Sequence, residues 1–118
     1  MKPGAPVDLL ARIECALGDI TQERTDAIVN AANTSLRGGG GVDGAIHEAA
    51  GPGLLAELVR QYPRGCEAGE AVVTAGYGLP ARWVIHPPGP FWFGGDQEQA
   101  DVLARCHRES LRRASGVG

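Results

Sequence analysis

The chain has 118 residues, 43% hydrophobic, 21% charged and 5% aromatic, with a formal net charge of -3. That size and balance describe one ordinary globular domain, residues 1–118, and exclude a disordered or fibrous chain. The 11 Lys and Arg are scattered among 14 Asp and Glu, without the basic patch by which a nucleic-acid binder gathers phosphates, and nowhere do about 18 apolar residues run together to span a membrane.

Ile13, Cys15 and Leu17 alternate with Arg12, Glu14 and Ala16, which predicts a half-buried strand over 7–17, ended by Gly18-Asp19. The short apolar run 27–32 predicts a second strand, central in its sheet and covered on both faces. A loop with four successive glycines, Gly38 to Gly41, leads into a helix carrying Val42, Ala45, Ile46 and Ala49, with Asp43 expected as its N-cap. A second helix is predicted over 53–62. The runs 71–77 and 81–86 flank Gly78-Leu79-Pro80, as in a hairpin. After a loop containing Phe91-Trp92-Phe93, Asp96 and Gln99 form a capping-box pair for a last helix with the stripe Leu103, His107, Leu111 and Ala114. Strands interleaved with helices indicate an α/β fold with a mixed sheet.

Three cysteines, Cys15, Cys66 and Cys106, stand at wide spacings with no CxxC pair, which points to a reduced, cytoplasmic setting and gives no zinc pattern. The first residues lack the apolar run of a signal peptide. Cys66 and Cys106 read as small hydrophobes, and His86 and His107 as structural.

The informative stretch runs from Asn30 to His47. A strand feeding a glycine-rich loop and a helix N-terminus offers backbone N–H groups and a helix dipole to an anion, so a phosphate or diphosphate suits it. Gly39, Gly41 and Gly44 satisfy GxGxxG, but the strand ends too far ahead of them and no acidic strand end follows, unlike a dinucleotide fold. A P-loop would need Lys and Ser or Thr where Val42-Asp43 stands.

Gly18-Asp19-Ile20-Thr21, the run Asp26 to Asn33, and Gly39-Gly40-Gly41-Val42-Asp43-Gly44 together resemble the macrodomain family. Gly65 to Ala71, Val84-Ile85-His86 and 103–111 resemble its MacroD-type branch, which includes O-acetyl-ADP-ribose deacetylases. The resemblance, covering about Leu10 to Arg113, implies a three-layer fold with a mixed sheet between helices that binds ADP-ribose. It implies Asp19 and the Ile20 backbone at adenine, Gly40, Gly41 and Val42 along the diphosphate, and Asn33 at the distal ribose. Asn30 is expected to hold the loop in shape, and His47 to play a supporting part. A carboxylate beside a diphosphate suffers like-charge repulsion, which favours Asp43 as a base over a pure binding role.

The implied activity is hydrolysis of ADP-ribosyl esters, O-acetyl-ADP-ribose or mono-ADP-ribose on acidic protein side chains, with Asn33 and Asp43 catalytic and no metal or cofactor required. The alternatives are a non-catalytic ADP-ribose-binding module or an inactive remnant. The sequence departs from the family pattern by lacking its last strands, second phosphate loop and final helix, and by Pro87-Pro88 at a strand exit. An incomplete sheet is expected either to self-associate through its edges or to let the first strand move inward beside the second.

Overall fold

The computed structural model describes residues 9–90 and 95–117. Its strands, β1 (Ala27–Val29), β2 (Val72–Ala75) and β3 (Trp83–His86), form a mixed sheet in the order β1-β3-β2. β1 runs parallel to β3 with Ile28 opposite Val84, and β2 runs antiparallel to it with Val73 opposite Ile85. The helices are α1 (Gly41–Ala50), α2 (Pro52–Gln61) and α3 (Gln97–Val117), and short 3-10 turns cover Leu9–Arg12 and Ile20–Gln22.

Side chains alternate across a strand, so Val84 and His86 face one side and Ile85 the other. On the Val84 side, Ile28 packs with Ile46 and Ala50 of α1, Leu54 and Leu58 of α2, and Leu36 of the loop. Ile46, Leu54 and Leu58 are completely buried, each worth about 2 kcal/mol of apolar burial. α3 packs on β2 and β3 and buries Cys106 and Ser110. The expected layering of helices about a mixed sheet is therefore present.

α2 and the hairpin lie within two residues of their predicted bounds. Gly78 N–H donates to Ala50 O at 3.0 Å, which docks the hairpin turn on the end of α1. A Cβ on Gly76 would sit 1.9 Å from Ala81 O, so only glycine fits there. Asp96 Oδ1 accepts from Gln99 N at 2.9 Å, and Gln99 Oε1 accepts from Gly95 N at 3.0 Å, one residue earlier than in a strict capping box.

Four expectations are corrected. Within the predicted strand over 7–17, residues 9–12 form the 3-10 turn and 13–17 have no regular structure; Ile13 is 65% exposed and Leu17 fully so. Alternation makes a strand only where a neighbouring edge supplies hydrogen bonds, and among the described residues 9–17 pair with no strand, including β1. Among the described residues β1 is an edge strand, and the central place belongs to β3. The N-cap of α1 is Gly40, and Asp43 lies inside the first turn. Leu103 and Leu111 of the predicted α3 stripe are exposed, because α3 meets the sheet through Cys106 and Ser110 instead.

Pro87-Pro88 is accommodated because only carbonyls are needed there. Ala32 N donates to Pro87 O, Gly69 N to Pro88 O, and Cys106 Sγ to Pro88 O. Phe91-Trp92-Phe93 lies outside the described residues.

Candidate functional site

Past Val29 the chain stays beside β3 through the bond from Asn30 N to Ile85 O, 2.8 Å, and a bridge between Ala32 and Pro88. It then turns through Asn33 to Gly40 into α1. Asn33 closes this loop: its Nδ2 donates to Gly38 O at 2.9 Å, while its Oδ1 accepts from Ser35 Oγ at 2.7 Å and Leu36 N at 2.9 Å. Asn33 thus shares the shaping role expected of Asn30, whose own bond to Asp43 ties the two ends of the loop. Gly65 is seated under the loop, with a hypothetical Cβ 2.0 Å from Thr34 O.

Asn30 is buried and reaches across to the helix, donating from Nδ2 to Asp43 Oδ1 at 2.7 Å. His47, one turn further along α1, places Nε2 3.4 Å from the same oxygen. Its ring lies beneath Gly38, within 3.7 Å of where a Cβ would stand. A Cβ on Gly39 would lie 3.6 Å from both Asn33 Nδ2 and Asp43 Oδ2. The amide of Asn33 and the carboxylate of Asp43 therefore flank one glycine, with Oδ2 on the loop side.

At the start of α1, Gly41 has φ +60° and Gly40 is extended. The first internal helical bond runs from Gly44 N to Gly40 O, which leaves the N–H groups of Gly41, Val42 and Asp43 outside the helix ladder, as at any helix start. Gly40 and Gly41 have open space where a Cβ would be, and Val42 is half exposed. A Cβ on Gly44 would meet Gly39 O at 2.4 Å, so the loop rests directly on the helix.

Asp19 caps and Ile20 opens the second 3-10 turn, which packs against α1. Asp19 Oδ1 accepts from Thr21 N at 2.9 Å and from Thr21 Oγ1 at 2.7 Å, and these bonds hold its carboxyl below the usual range. Ile20 packs on the core edge. The structure thus joins Asn30, Asn33, Gly40 to Asp43 and His47 in one constellation, with Asp19 and Ile20 on the flank of the same helix.

His86 belongs to the constellation although its sequence position reads as structural. It is fully buried, with Nδ1 3.2 Å from Asn30 Nδ2 and Nε2 2.9 Å from Thr74 Oγ1. Burial, and next the charge of His47, push its pKa down to about 4. The legible signal was a histidine on the inward face of an apolar strand, which must find polar partners inside.

Beyond Asn33 a groove of about 590 Å³ opens between β1 and α3, lined by Val29, Ala32, Asn33, Pro90, Leu103 and Leu111. Ser110, which also lines it, carries a buried hydroxyl without a hydrogen-bond partner among the described residues.

A sequence model of the macro domain family matches residues 29–118, which include the whole loop and α1. The chain belongs to the macro domain family. The macrodomain of Oceanobacillus iheyensis with ADP superposes with a TM-score of 0.76 at 47% identity, covering 84% of this chain and 55% of that one. The Trypanosoma brucei macrodomain in complex with ADP-ribose gives 0.71 at 50% identity, covering 80% and 38%. An O-acetyl-ADP-ribose deacetylase of Enterobacter cloacae is 52% identical over 109 residues, 91% of this chain and 61% of that protein. This macrodomain spans about three fifths of the length of the curated relatives it matches.

Proposed function

We propose that this macrodomain binds ADP-ribose and hydrolyses ADP-ribosyl esters. The observation that carries the reading is the meeting of Asn33 and Asp43 about Gly39 at the open start of α1. The diphosphate lies along the N–H groups of Gly40, Gly41 and Val42, where the helix dipole favours negative charge. Adenine is addressed by Asp19 and the Ile20 backbone. The distal ribose then reaches Asn33 and Asp43, with Asn30 and His47 supporting the carboxylate.

In the reaction, Asp43 Oδ2 draws a proton from a water as the water oxygen bonds to the ester carbonyl carbon. Collapse breaks the bond to the ribose oxygen, which takes up the proton and leaves as a hydroxyl. The similarity to an O-acetyl-ADP-ribose deacetylase supports O-acetyl-ADP-ribose as substrate, and mono-ADP-ribose on an acidic side chain offers the same kind of ester to Asn33 and Asp43. Calorimetry with ADP-ribose and acetate release from O-acetyl-ADP-ribose test the reading. Asp43→Ala is expected to keep binding while turnover collapses, and unchanged turnover removes Asp43 from the mechanism.

A non-catalytic ADP-ribose reader is the second reading, favoured by one observation: both polar atoms of Asn33 are already engaged by Gly38, Ser35 and Leu36. Binding without acetate release would select it, and absence of both would leave an inactive remnant. The open edge of β1 beside an apolar groove supports self-association by strand pairing. Sedimentation across a concentration series tests it, and a constant monomer mass ends that proposal.

A further inference from the structure

Asp43 is the last member of a hydrogen-bonded row that begins in the sheet, and elementary chemistry fixes the direction of each bond. Thr74 Oγ1 gives its single proton to Ala75 O, 3.0 Å away. With that proton on Ala75 O it accepts toward His86 Nε2, 2.9 Å away, and the same tautomer, Nε2 protonated, follows from the Asn30 N–H that faces Nδ1. Burial keeps the ring neutral near pH 7, which leaves Nδ1 as a bare lone pair facing Asn30 Nδ2. Asn30 Oδ1 accepts from Ala31 N at 2.7 Å, which settles which end of that amide is nitrogen. One N–H of Asn30 then points to His86 Nδ1 and the other to Asp43 Oδ1. Thr74, His86, Asn30 and Asp43 are all buried, so a partner lost from the row is costly to replace.

We propose that His86 is a positioning residue: by accepting one Asn30 N–H it aims the other at Asp43 Oδ1, and so turns Asp43 Oδ2 toward Gly39 and Asn33. Its catalytic consequence rests on the ester-hydrolase reading. The geometric claim does not. A histidine that merely filled space would be replaced well by an apolar residue of similar size, whereas a positioning histidine is replaced best by a smaller side chain that keeps an acceptor where Nδ1 stood.

Three variants separate these roles. In His86→Asn the amide oxygen occupies the Nδ1 position, in His86→Gln only the Nε2 end is reproduced, and in His86→Leu neither is. The expected result is kcat for O-acetyl-ADP-ribose falling on the order of tenfold in His86→Leu and His86→Gln, as for other supporting partners of a reactive group. His86→Asn should recover most of that loss, and ADP-ribose affinity should stay within about twofold in all three. Equal kcat in His86→Leu and the parent, or a slower His86→Asn than His86→Leu, overturns the proposal.

Nitrogen NMR of the unaltered chain tests the geometry without turnover: it should show His86 protonated at Nε2 and bare at Nδ1, and a proton on Nδ1 at pH 7 overturns the proposal. If the parent releases no acetate at all, the hydrolase reading fails. The Asp43 carboxyl carbon signal then decides the positioning role, which stands if that signal moves in His86→Leu and returns in His86→Asn, and falls if it is unmoved in both.

Discussion

Asn30 Nδ2 and Asp43 Oδ1 lie 2.7 Å apart, which ties the exit of β1 to the first turn of α1 by a buried bond to a charged acceptor. Such bonds contribute more than neutral ones, and removing the donor leaves a buried carboxylate short of a partner. Asn30→Ala should therefore cost about 2 kcal/mol in urea unfolding. Asn30→Asp, which sets a second carboxylate against the first, should cost more. Equal stability of Asn30→Ala and the parent would show that the bond is dispensable.

Stability should decline on the acid side of neutrality because of His86. Its pKa is about 4 in the folded chain against 6.5 ordinarily, so the unfolded chain binds the proton first as pH falls. The contribution is fully present above about 6.5, shrinks below it, and is exhausted near 4. That gap corresponds to roughly 3 kcal/mol at most. The charged or titratable neighbours are His47 and Asp43 of α1, the latter reached through Asn30. Urea midpoints from pH 7 to 4 should fall steeply for the parent and less for His86→Asn; parallel curves would remove His86 as the cause.

Glu57 of α2 binds the hairpin, accepting at Oε1 from Tyr77 Oη at 2.6 Å and from Ala75 N at 3.2 Å. The hydrogen bond to Glu57, followed by desolvation and by that carboxylate's charge, raises the Tyr77 phenol above its ordinary pKa. Ultraviolet titration should show one tyrosine ionising late in the parent and earlier in Glu57→Ala. A titration unaffected by the substitution would disprove the coupling.

Two glycines of the loop and α1 separate architecture from access. Gly44→Ala adds helix propensity of about 1 kcal/mol but drives its Cβ to 2.4 Å from Gly39 O, so the loop has to lift. It should lower both melting temperature and ADP-ribose affinity. A Cβ at Gly40 meets nothing within 4 Å, so Gly40→Ala should leave melting within a few degrees and weaken ADP-ribose alone. Undiminished affinity in Gly40→Ala would argue against a diphosphate passing that backbone.

The cysteines should differ in reactivity. Cys15 is exposed and Cys106 buried, while burial and the neighbouring Glu70 push the Cys66 thiol up to about 11. The thiolate is the reactive form, so iodoacetamide at pH 8 should label Cys15 first and Cys66 slowly. Mass spectrometry of the labelled peptides checks the order, and faster labelling of Cys66 would contradict its half-buried setting beside Glu70.

Periodicity located α2, the hairpin and α3 because each satisfies its own hydrogen bonds or pairs with a neighbour a few residues away. It misplaced 13–17 because a strand depends on a partner that local alternation does not reveal. Asp43 had the composition of a cap, yet the turn at Gly40 begins three residues earlier and sends its carboxylate inward. The resemblance to macrodomains brought Asn33 and Asp43 together from their order along the chain, and helical spacing set His47 one turn beyond Asp43. His86 was beyond it: nothing in Val84-Ile85-His86 tells that Asn30, 56 residues away, stands opposite the ring. The exposed face of α3 was unreadable for a related reason, since an apolar stripe announces burial without naming what covers it.

Among the described residues β3 alone is bonded on both flanks, and His86 sits at its end. Thermal fluctuations should consequently unzip the outer strands before this one, and deuterium uptake at the amides of Val84 and Ile85 should lag behind that at Val29 and Val42. The chain would then lose its grip on a guest through fraying of the glycine bend while the innermost imidazole keeps its orientation, so that recovery needs only the periphery to settle again.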